Sequence, residues 1–377
     1  MAMKKVLLAS LALISCAAED DVAGPAGEPG SSNAMVTGAG NVEVSGAEVK
    51  AEKRDGWSIG KRVVPPPAGA SDVLYDHIAA LSKPNVTLRS IAPQARWQWD
   101  ALIATAKPPF TEESLEQQFN VSIEQDTVGG VNAYWVTPER IEEGRENHLF
   151  VLLHGGGYIF GAGVVGAQEA GIIAANAGVK AISIDYRMPP EHPFPAALDD
   201  VAAVYRELLK SYRPESIAMG GTSAGSGLTL AGVHKIKSMN LPVPGALFIG
   251  TPWADMTKTG DTWHTNEGID SMLVTHNGLG AAIPKLYANG RDLRDPLISP
   301  VYGDFSGFPP SYLVTGTRDV LLSDTVRTHR KMREAGVIAD LNVFEGMSHG
   351  EYQLLLDSPE SKQAYGGWSD FMKEHLE

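Results

Sequence analysis

The stretch SIAMGGTSAGSGLTLAGVHKIKSM, residues 216–239, changes character at its middle. Ser216–Gly220 is short and mostly apolar, the texture of a buried strand, while Ala224–Met239 can run as a helix. Between them lies Gly221–Gly225, a G-x-S-x-G pentapeptide, which puts Ser223 on a tight strand-to-helix turn. Such a turn pushes the hydroxyl above a sheet, and glycines at 221 and 225 let strand and helix approach closely around it. The helix N-terminus beyond it places positive backbone dipoles where an oxyanion would form. The same pattern recurs as GWSIG at Gly56–Gly60, and with 40 glycines in 377 residues a chance match is expected. Context separates the two. Nothing ahead of Gly56 resembles a strand, and the prolines that follow at 65–67 cannot open a helix, so Ser58 reads as a decoy.

Working outward from Ser223, His148–Leu153, Val179–Asp185, Gly245–Gly250 and Ser311–Thr315 are short apolar runs, and Ala339–Phe344 alternates. Continuous apolar runs of this length suit strands buried on both faces of a parallel sheet. Helical patterns separate most of them, at Leu198–Tyr212, Ala224–Met239 and Ser323–Ala335. Earlier, Phe119, Val121 and Ile123 alternate with polar residues as far as Gly129-Gly130, and Val131–Val136 follows, a hairpin signature. Alternating strand and helix predicts an α/β fold, a mostly parallel eight-stranded sheet with helices on both faces. The interval from Thr251 to Pro296, with Trp253, Trp263, His264 and Met272, is too long for a simple crossover. It reads as a helical cap, joined by the helix-like stretches Ser71–Leu81, Pro93–Ala106 and Thr111–Gln118. The expected division is therefore cap at 61–118 and 252–292, and α/β domain at 119–251 and 293–377.

A serine hydroxyl is a poor nucleophile at neutral pH and needs a base, itself oriented by a third group. In open α/β sheets such groups gather at the C-terminal ends of strands. Asp319 follows the strand Ser311–Thr315 and His349 follows Ala339–Phe344, so Ser223, Asp319 and His349 are the expected catalytic set. His329 sits in a polar helix and His375 in the final one; His234, His264 and His276 lie behind the serine or in the cap. Asp324, one helical step past Asp319, is expected to support the loop or cap the helix; Asp304 and Glu345 are weaker alternatives. The run His154-Gly-Gly-Gly-Tyr158 follows another strand, and its glycines let backbone N–H groups turn toward a developing oxyanion. Gly156, Gly157 and Ala224 are the expected oxyanion-hole donors, with His154 fixing the loop.

With these residues in place, the chain from about Phe119 onward resembles the hormone-sensitive-lipase family, lipolytic family IV of bacteria, within the α/β-hydrolase fold. The resemblance rests on HGGGYIFG at His154, DYRMPPEHPFPAALDD at Asp185, GTSAGS at Gly221, DPLISPVYGDFSGFPPSYLVTG at Asp295 and SHG at Ser348. It implies a helical cap over a pocket, a Ser-His-Asp mechanism that needs no cofactor, and small-molecule short-acyl or aryl esters as substrates. Lactones and acetylated compounds are the alternatives on the same site. Thr222 in GTSAG implies the subgroup with threonine there, and MPPEHP stands where LAPEHP is common. Two readings from other classes compete. Gly161-Ala-Gly-Val-Val-Gly166 with Asp185 fits a dinucleotide-binding fingerprint, although HGGGYIF intervenes between strand and glycines. A non-catalytic receptor on the same fold is the other, and receptors of that kind usually lack a triad member.

Net charge is −14, which argues against a nucleic-acid partner. At the start, Lys4 and Lys5 precede an apolar Val6–Ser15 too short to span a bilayer, the pattern of a signal segment over 1–16. Its ending, Leu-Ile-Ser-Cys16, resembles a lipobox, so a lipid anchor on Cys16 and an exported, periplasmic or membrane-anchored location are expected. Cys16 is the single cysteine, which excludes an internal disulfide and a cysteine metal cluster. From Ala17 to about Asn41 large apolar side chains are almost absent, so 17–60 reads as a flexible linker. The oligomeric state is left open, with a dimer as one expectation.

Overall fold

The first two strands, β1 (Val121–Val128) and β2 (Val131–Pro138), form a hairpin whose two-residue loop is Gly129-Gly130. Both glycines have positive φ, 60° and 82°, which matches the turn type that follows the right-handed twist of a strand pair. The structure is a computed structural model and describes residues 61–105 and 110–377. The expected signal segment 1–16 with Cys16, the linker 17–60 and the GWSIG decoy lie outside the described residues.

Among the described residues, α1 (Asp72–Ala80), α2 (Arg96–Thr105) and α3 (Glu112–Phe119) precede the hairpin, with a single helical turn at Val86–Arg89 between the first two. Ser71 caps α1 by accepting from Leu74 N–H, and Thr111 with Ser114 closes a reciprocal capping box on α3. After β2 come β3 (Leu149–Leu153), α4 (Gln168–Ala177), β4 (Lys180–Ile184), α5 (Ala196–Leu208), β5 (Ile217–Thr222) and α6 (Ala224–Ser238). The chain continues through β6 (Ala246–Gly250), α7 (Ala281–Ala288), β7 (Ser311–Gly316), α8 (Leu322–Glu334), β8 (Ala339–Phe344) and α9 (Pro359–His375). The sheet has eight strands in the order β1-β2-β4-β3-β5-β6-β7-β8, antiparallel at β1-β2-β4 and parallel from β4 to β8. The fold expected from the sequence is the fold observed.

Alternation along each strand divides the core in two. Leu149, Val151 and Leu153 of β3 join Met219, Leu247, Ile249 and Leu313 on one face, under Val201 and Val204 of α5 and Leu228 and Ala231 of α6. Phe150 and Leu152 join Ala181, Ala218, Phe248 and Val314 on the other, under Ile172 and Ile173 of α4 and Trp368 and Phe371 of α9. Both faces are covered, which is why β3, β5 and β6 are buried at every residue. Helix α4 has no counterpart among the expected elements. Its run QEAGIIAANA is buried at most positions, so it lacks the one-sided apolar stripe that marks a surface helix.

The three N-terminal helices expected in one cap pack in different places. Trp99 of α2 enters the first cluster, with Tyr158, Trp253 and Ile283. Leu74 of α1 and Leu115 and Phe119 of α3 enter the second, and Ser71 is held by the Glu360 carboxylate of α9. What positions the site is the reversal of strand order at β3. Its neighbours β4 and β5 follow it in sequence and lie on opposite sides, and the helices after β3 and β5, α4 and α6, cover opposite faces, which makes this the switch point of the sheet, where ligands bind in open α/β folds.

Candidate active site

Ser223 follows β5 with φ 62° and ψ −121°, a conformation that non-glycine residues adopt only where neighbours over-determine it. Those neighbours are visible. Ser223 N–H donates to Gly250 O at 2.8 Å, and its carbonyl accepts from Trp253 N at 3.0 Å and Gly227 N at 3.1 Å. Ser226 Oγ bonds Gly221 O and, at 2.9 Å, Gly250 O. A Cβ on Gly221 or Gly225 would sit inside contact distance of the Leu153 carbonyl oxygen, so both glycines are required by how closely β3 passes the turn.

His349 and Asp319 meet at the ends of β8 and β7. His349 Nδ1 lies 3.2 Å from Asp319 Oδ1, and both side chains are buried. The Asp319 carboxylate also accepts from Leu321 N at 2.8 Å and Thr315 Oγ1 at 3.0 Å, so its orientation is set from three directions. Burial alone would lower the imidazole pKa. The Asp319 charge and hydrogen bond, helped by the Asp270 charge, outweigh it and leave the pKa raised above the ordinary 6.5. The segment that follows His349 reaches the serine turn at Tyr352, whose hydroxyl lies 2.6 Å from Thr222 Oγ1, one residue before Ser223. Beside His349, a Cβ on Gly350 would stand 3.8 Å from Thr222 Cγ2.

The glycine run after β3 lies against the same turn, since a Cβ on Gly155 would be 3.7 Å from that of Ser223. Gly156 and Gly157 have φ of 102° and 63°, and Gly156 O accepts from Ile159 N and Phe160 N, which closes the loop tightly. Ala224 is the first residue of α6, where N–H groups have no partner within the helix. His154 is buried, stacks on Tyr186 with ring centroids 4.1 Å apart, and bonds Gly155 O from Nδ1 at 2.8 Å. Burial lowers its pKa, so it stands as a neutral brace for the loop. That ring also explains Gly161–Gly166. A Cβ on Gly161 or Gly166 would be 2.7 or 2.8 Å from the imidazole, and Gly163 N–H donates to Asp185 Oδ1 at 2.9 Å. The glycines make room for a side chain of this chain and the acidic residue holds their loop, so both parts of the dinucleotide fingerprint are already engaged.

Thr222 Oγ1 also donates to Glu169 of α4 at 2.6 Å. Burial pushes the Glu169 carboxyl from 4.5 to about 7, against hydrogen bonds from Thr222 and Gln353 that favour ionisation. Between those two values the folded protein binds more protons at this site than the unfolded chain. The fold therefore loses stability as pH rises through that interval, by about 1.4 kcal/mol for each pH unit. Glu169→Gln is expected to remove that loss. Urea unfolding of both proteins at about pH 5 and about pH 8 checks it, the variant gaining on the parent at the higher pH.

The competing residues have structural work elsewhere. Asp324 is buried and accepts from Asp255 N, so it supports the chain after Trp253. His234 Nε2 lies 3.2 Å from Pro300 O with its ring against Phe305 and Phe308; His276 stands edge-on to Trp263; His329 meets Ala339 O. His375 packs on Phe371, Asp304 bonds Ser306, and Glu345 is exposed. Sequence reasoning passed over Glu169, Tyr352, Glu351 and Asp270. Tyr352 and Glu351 had a signal in being three and two residues from His349; Asp270 and Glu169 had none.

The eight-stranded sheet, the strained serine at β5 and the buried acid–imidazole pair at β7 and β8 are those of an α/β hydrolase. Residues 150–353 match the model of an α/β-hydrolase-fold family. An acetyl-hydrolase of Streptomyces hygroscopicus is 33% identical over 239 residues, 63% of this chain and 78% of that protein. The crystal structure of esterase E25 superposes with a TM-score of 0.83 at 47% identity, covering 85% of this chain and 99% of the other. An esterase from the bacterial hormone-sensitive-lipase family superposes at 0.66 with 30% identity, covering 81% and 99%. The chain belongs to the hormone-sensitive-lipase family of α/β hydrolases and is a carboxylic ester hydrolase.

Proposed function

We propose that the protein is a serine carboxylesterase for short-acyl or aryl esters, working through Ser223, His349 and Asp319. The observation that carries this reading is the buried Asp319–His349 pair, whose histidine lies in a segment that reaches the strained serine turn where Tyr352 meets Thr222. Asp319 faces Nδ1, which leaves Nε2 of His349 to take the serine proton as Ser223 Oγ attacks the ester carbonyl. The tetrahedral oxyanion is stabilised by the N–H groups of Gly156, Gly157 and Ala224, each worth about 3 kcal/mol in such sites. Collapse breaks the bond to the leaving oxygen, which departs as the alcohol with the proton from His349. Water then attacks the acyl-serine by the same route and releases the acid.

Apolar groups border the glycine loop and favour an apolar acyl or alcohol moiety. A Cβ on Gly157 would be 3.2 Å from Ile283 Cδ1 and 3.9 Å from Trp253, and Tyr158 stacks on Tyr287. The interval 252–292 thus acts as a cap over this loop. The Streptomyces relative's description as an acetyl-hydrolase supports acetyl esters as members of the same substrate class. Phenylmethylsulfonyl fluoride tests the nucleophile. It is expected to modify one peptide, that containing Ser223, with p-nitrophenyl butyrate hydrolysis falling in step. Modification of a different serine at the same loss of activity would overturn the assignment. Rates along a p-nitrophenyl series from acetyl to dodecanoyl are expected to peak at the short end.

A further inference from the structure

Asp270 lies in the irregular chain between β6 and β7, is fully buried, and belongs to none of the groups assigned above. One carboxylate oxygen, Oδ2, accepts from Val320 N–H at 3.0 Å, the residue directly after Asp319. The other accepts from Met272 N at 2.8 Å and Leu273 N at 3.1 Å. Two buried carboxylates are thereby brought to one loop, an arrangement that costs desolvation and mutual repulsion and calls for a compensating positive charge nearby.

The same segment grips both loops that carry the acid and the base. Asn266 Nδ2 donates to Thr317 O and Asp319 O, at 3.1 and 2.9 Å. Ser271 N donates to Ser348 Oγ at 3.1 Å, and Ser271 Oγ donates to Glu351 Oε1 at 2.7 Å. Glu351 Oε2 in turn accepts from Ser348 N at 2.7 Å, which fixes the turn holding His349. Asp270 therefore sits where the two loops are joined: its carboxylate holds the residue after Asp319, and the next residue, Ser271, holds the residue before His349.

We propose that Asp270 is a positioning residue of the hydrolytic reaction: held by three backbone amides, its carboxylate steadies the Asp319 loop and favours positive charge on His349. The inference rests on the Ser223–His349–Asp319 reading. Burial first, then the Asp319 charge, push the Asp270 carboxyl up to about 6, with the His349 charge and the amides opposing them. Asp270 in turn is one of the charges that raise His349. The titratable groups around the cluster are Asp319 after β7, His349 and Glu351 after β8, and His77 of α1, whose Nε2 is 3.7 Å from Glu351. Ionised Asp270 stabilises the imidazolium that forms as Ser223 is deprotonated.

Asp270→Asn and Asp270→Glu separate this role from a merely structural one. The acid limb of kcat/KM for p-nitrophenyl butyrate reports the proton affinity of the free-enzyme imidazole. Asp270→Asn is expected to move that limb to lower pH by about half a unit to one unit and to lower kcat on the plateau. Asp270→Glu, which keeps the charge, is expected to hold the limb near that of the parent. A limb that stays in place for Asp270→Asn, with Ser223 still labelled by the sulfonyl fluoride, overturns the proposal and leaves the triad reading intact. Failure of Ser223 labelling in the parent counts against the triad reading instead. Should Asp270→Asn not fold, Asp270→Ser carries the same readout; if no neutral variant folds, Asp270 is a residue of the fold and the proposal falls.

Discussion

Replacing Ser223 by alanine is expected to lower kcat for p-nitrophenyl butyrate by about a millionfold, leaving only what the oxyanion donors and substrate binding supply. The fold is expected to survive. Ser223 is tied to Gly250, Trp253 and Gly227 through its backbone, which alanine keeps, and alanine meets the same backbone strain as serine. The measurement is a paired one: steady-state rates, with thermal unfolding of both proteins as the control for folding. Retention of more than about one per cent of the activity in variant protein free of parent would remove Ser223 from the mechanism. In the parent, activity is expected to be lost as pH falls through the raised pKa of His349, because only the neutral imidazole accepts the serine proton.

A second large effect is expected from one methyl group. Gly225 lies in the first turn of α6, where exchange of glycine for alanine would ordinarily stabilise a helix by about 0.5–1 kcal/mol. Here the added Cβ would collide with the Leu153 carbonyl and stand 2.8 Å from its carbon and 2.9 Å from the His154 carbon. Gly225→Ala is therefore expected to destabilise by about 3 kcal/mol or more, since backbone rather than a flexible side chain must yield. Activity should fall further than stability, because the displaced backbone leads into the glycine loop at 155–157. Gly366 of α9 is the internal control: nothing lies within 4 Å of its would-be Cβ, so Gly366→Ala should stabilise. Urea unfolding of the three proteins decides the matter, and a Gly225→Ala protein as stable as its parent would refute the packing argument.

Both expectations start from residues that were legible in the sequence, and the reason is local. A strand-to-helix turn with a nucleophile demands small residues on either side, so Gly221, Ser223 and Gly225 carry their geometry in their own side chains. Asp319 and His349 were legible because each follows a run whose texture already placed it at a strand end. The hairpin was read from Gly129-Gly130 for the same reason. Helix α4 was missed where local signal fails: packed on most of its surface, it has neither a polar face nor a side-chain N-cap. The Gly161–Gly166 pattern misled in the opposite way, because a glycine states that space is needed and says nothing of what fills it. His154, seven residues earlier, fills it.

By itself the amino-acid order determined the sheet's parallel character, the strained serine, the placing of Asp319 and His349 at strand ends, and the glycine loop after β3. These follow from periodicity and from residue types that few backbone conformations accept. Only the tertiary structure decided that β4 and β5 flank β3, that Tyr352 and Glu169 both reach Thr222, and that Asp270 and Ser271 together join the loops of Asp319 and His349. Those side-chain contacts join residues from 50 to 130 positions apart, in segments with no periodic signal. Their partners are chosen by burial, which obliges every enclosed carboxylate and hydroxyl to find a hydrogen bond wherever the chain brings one within reach.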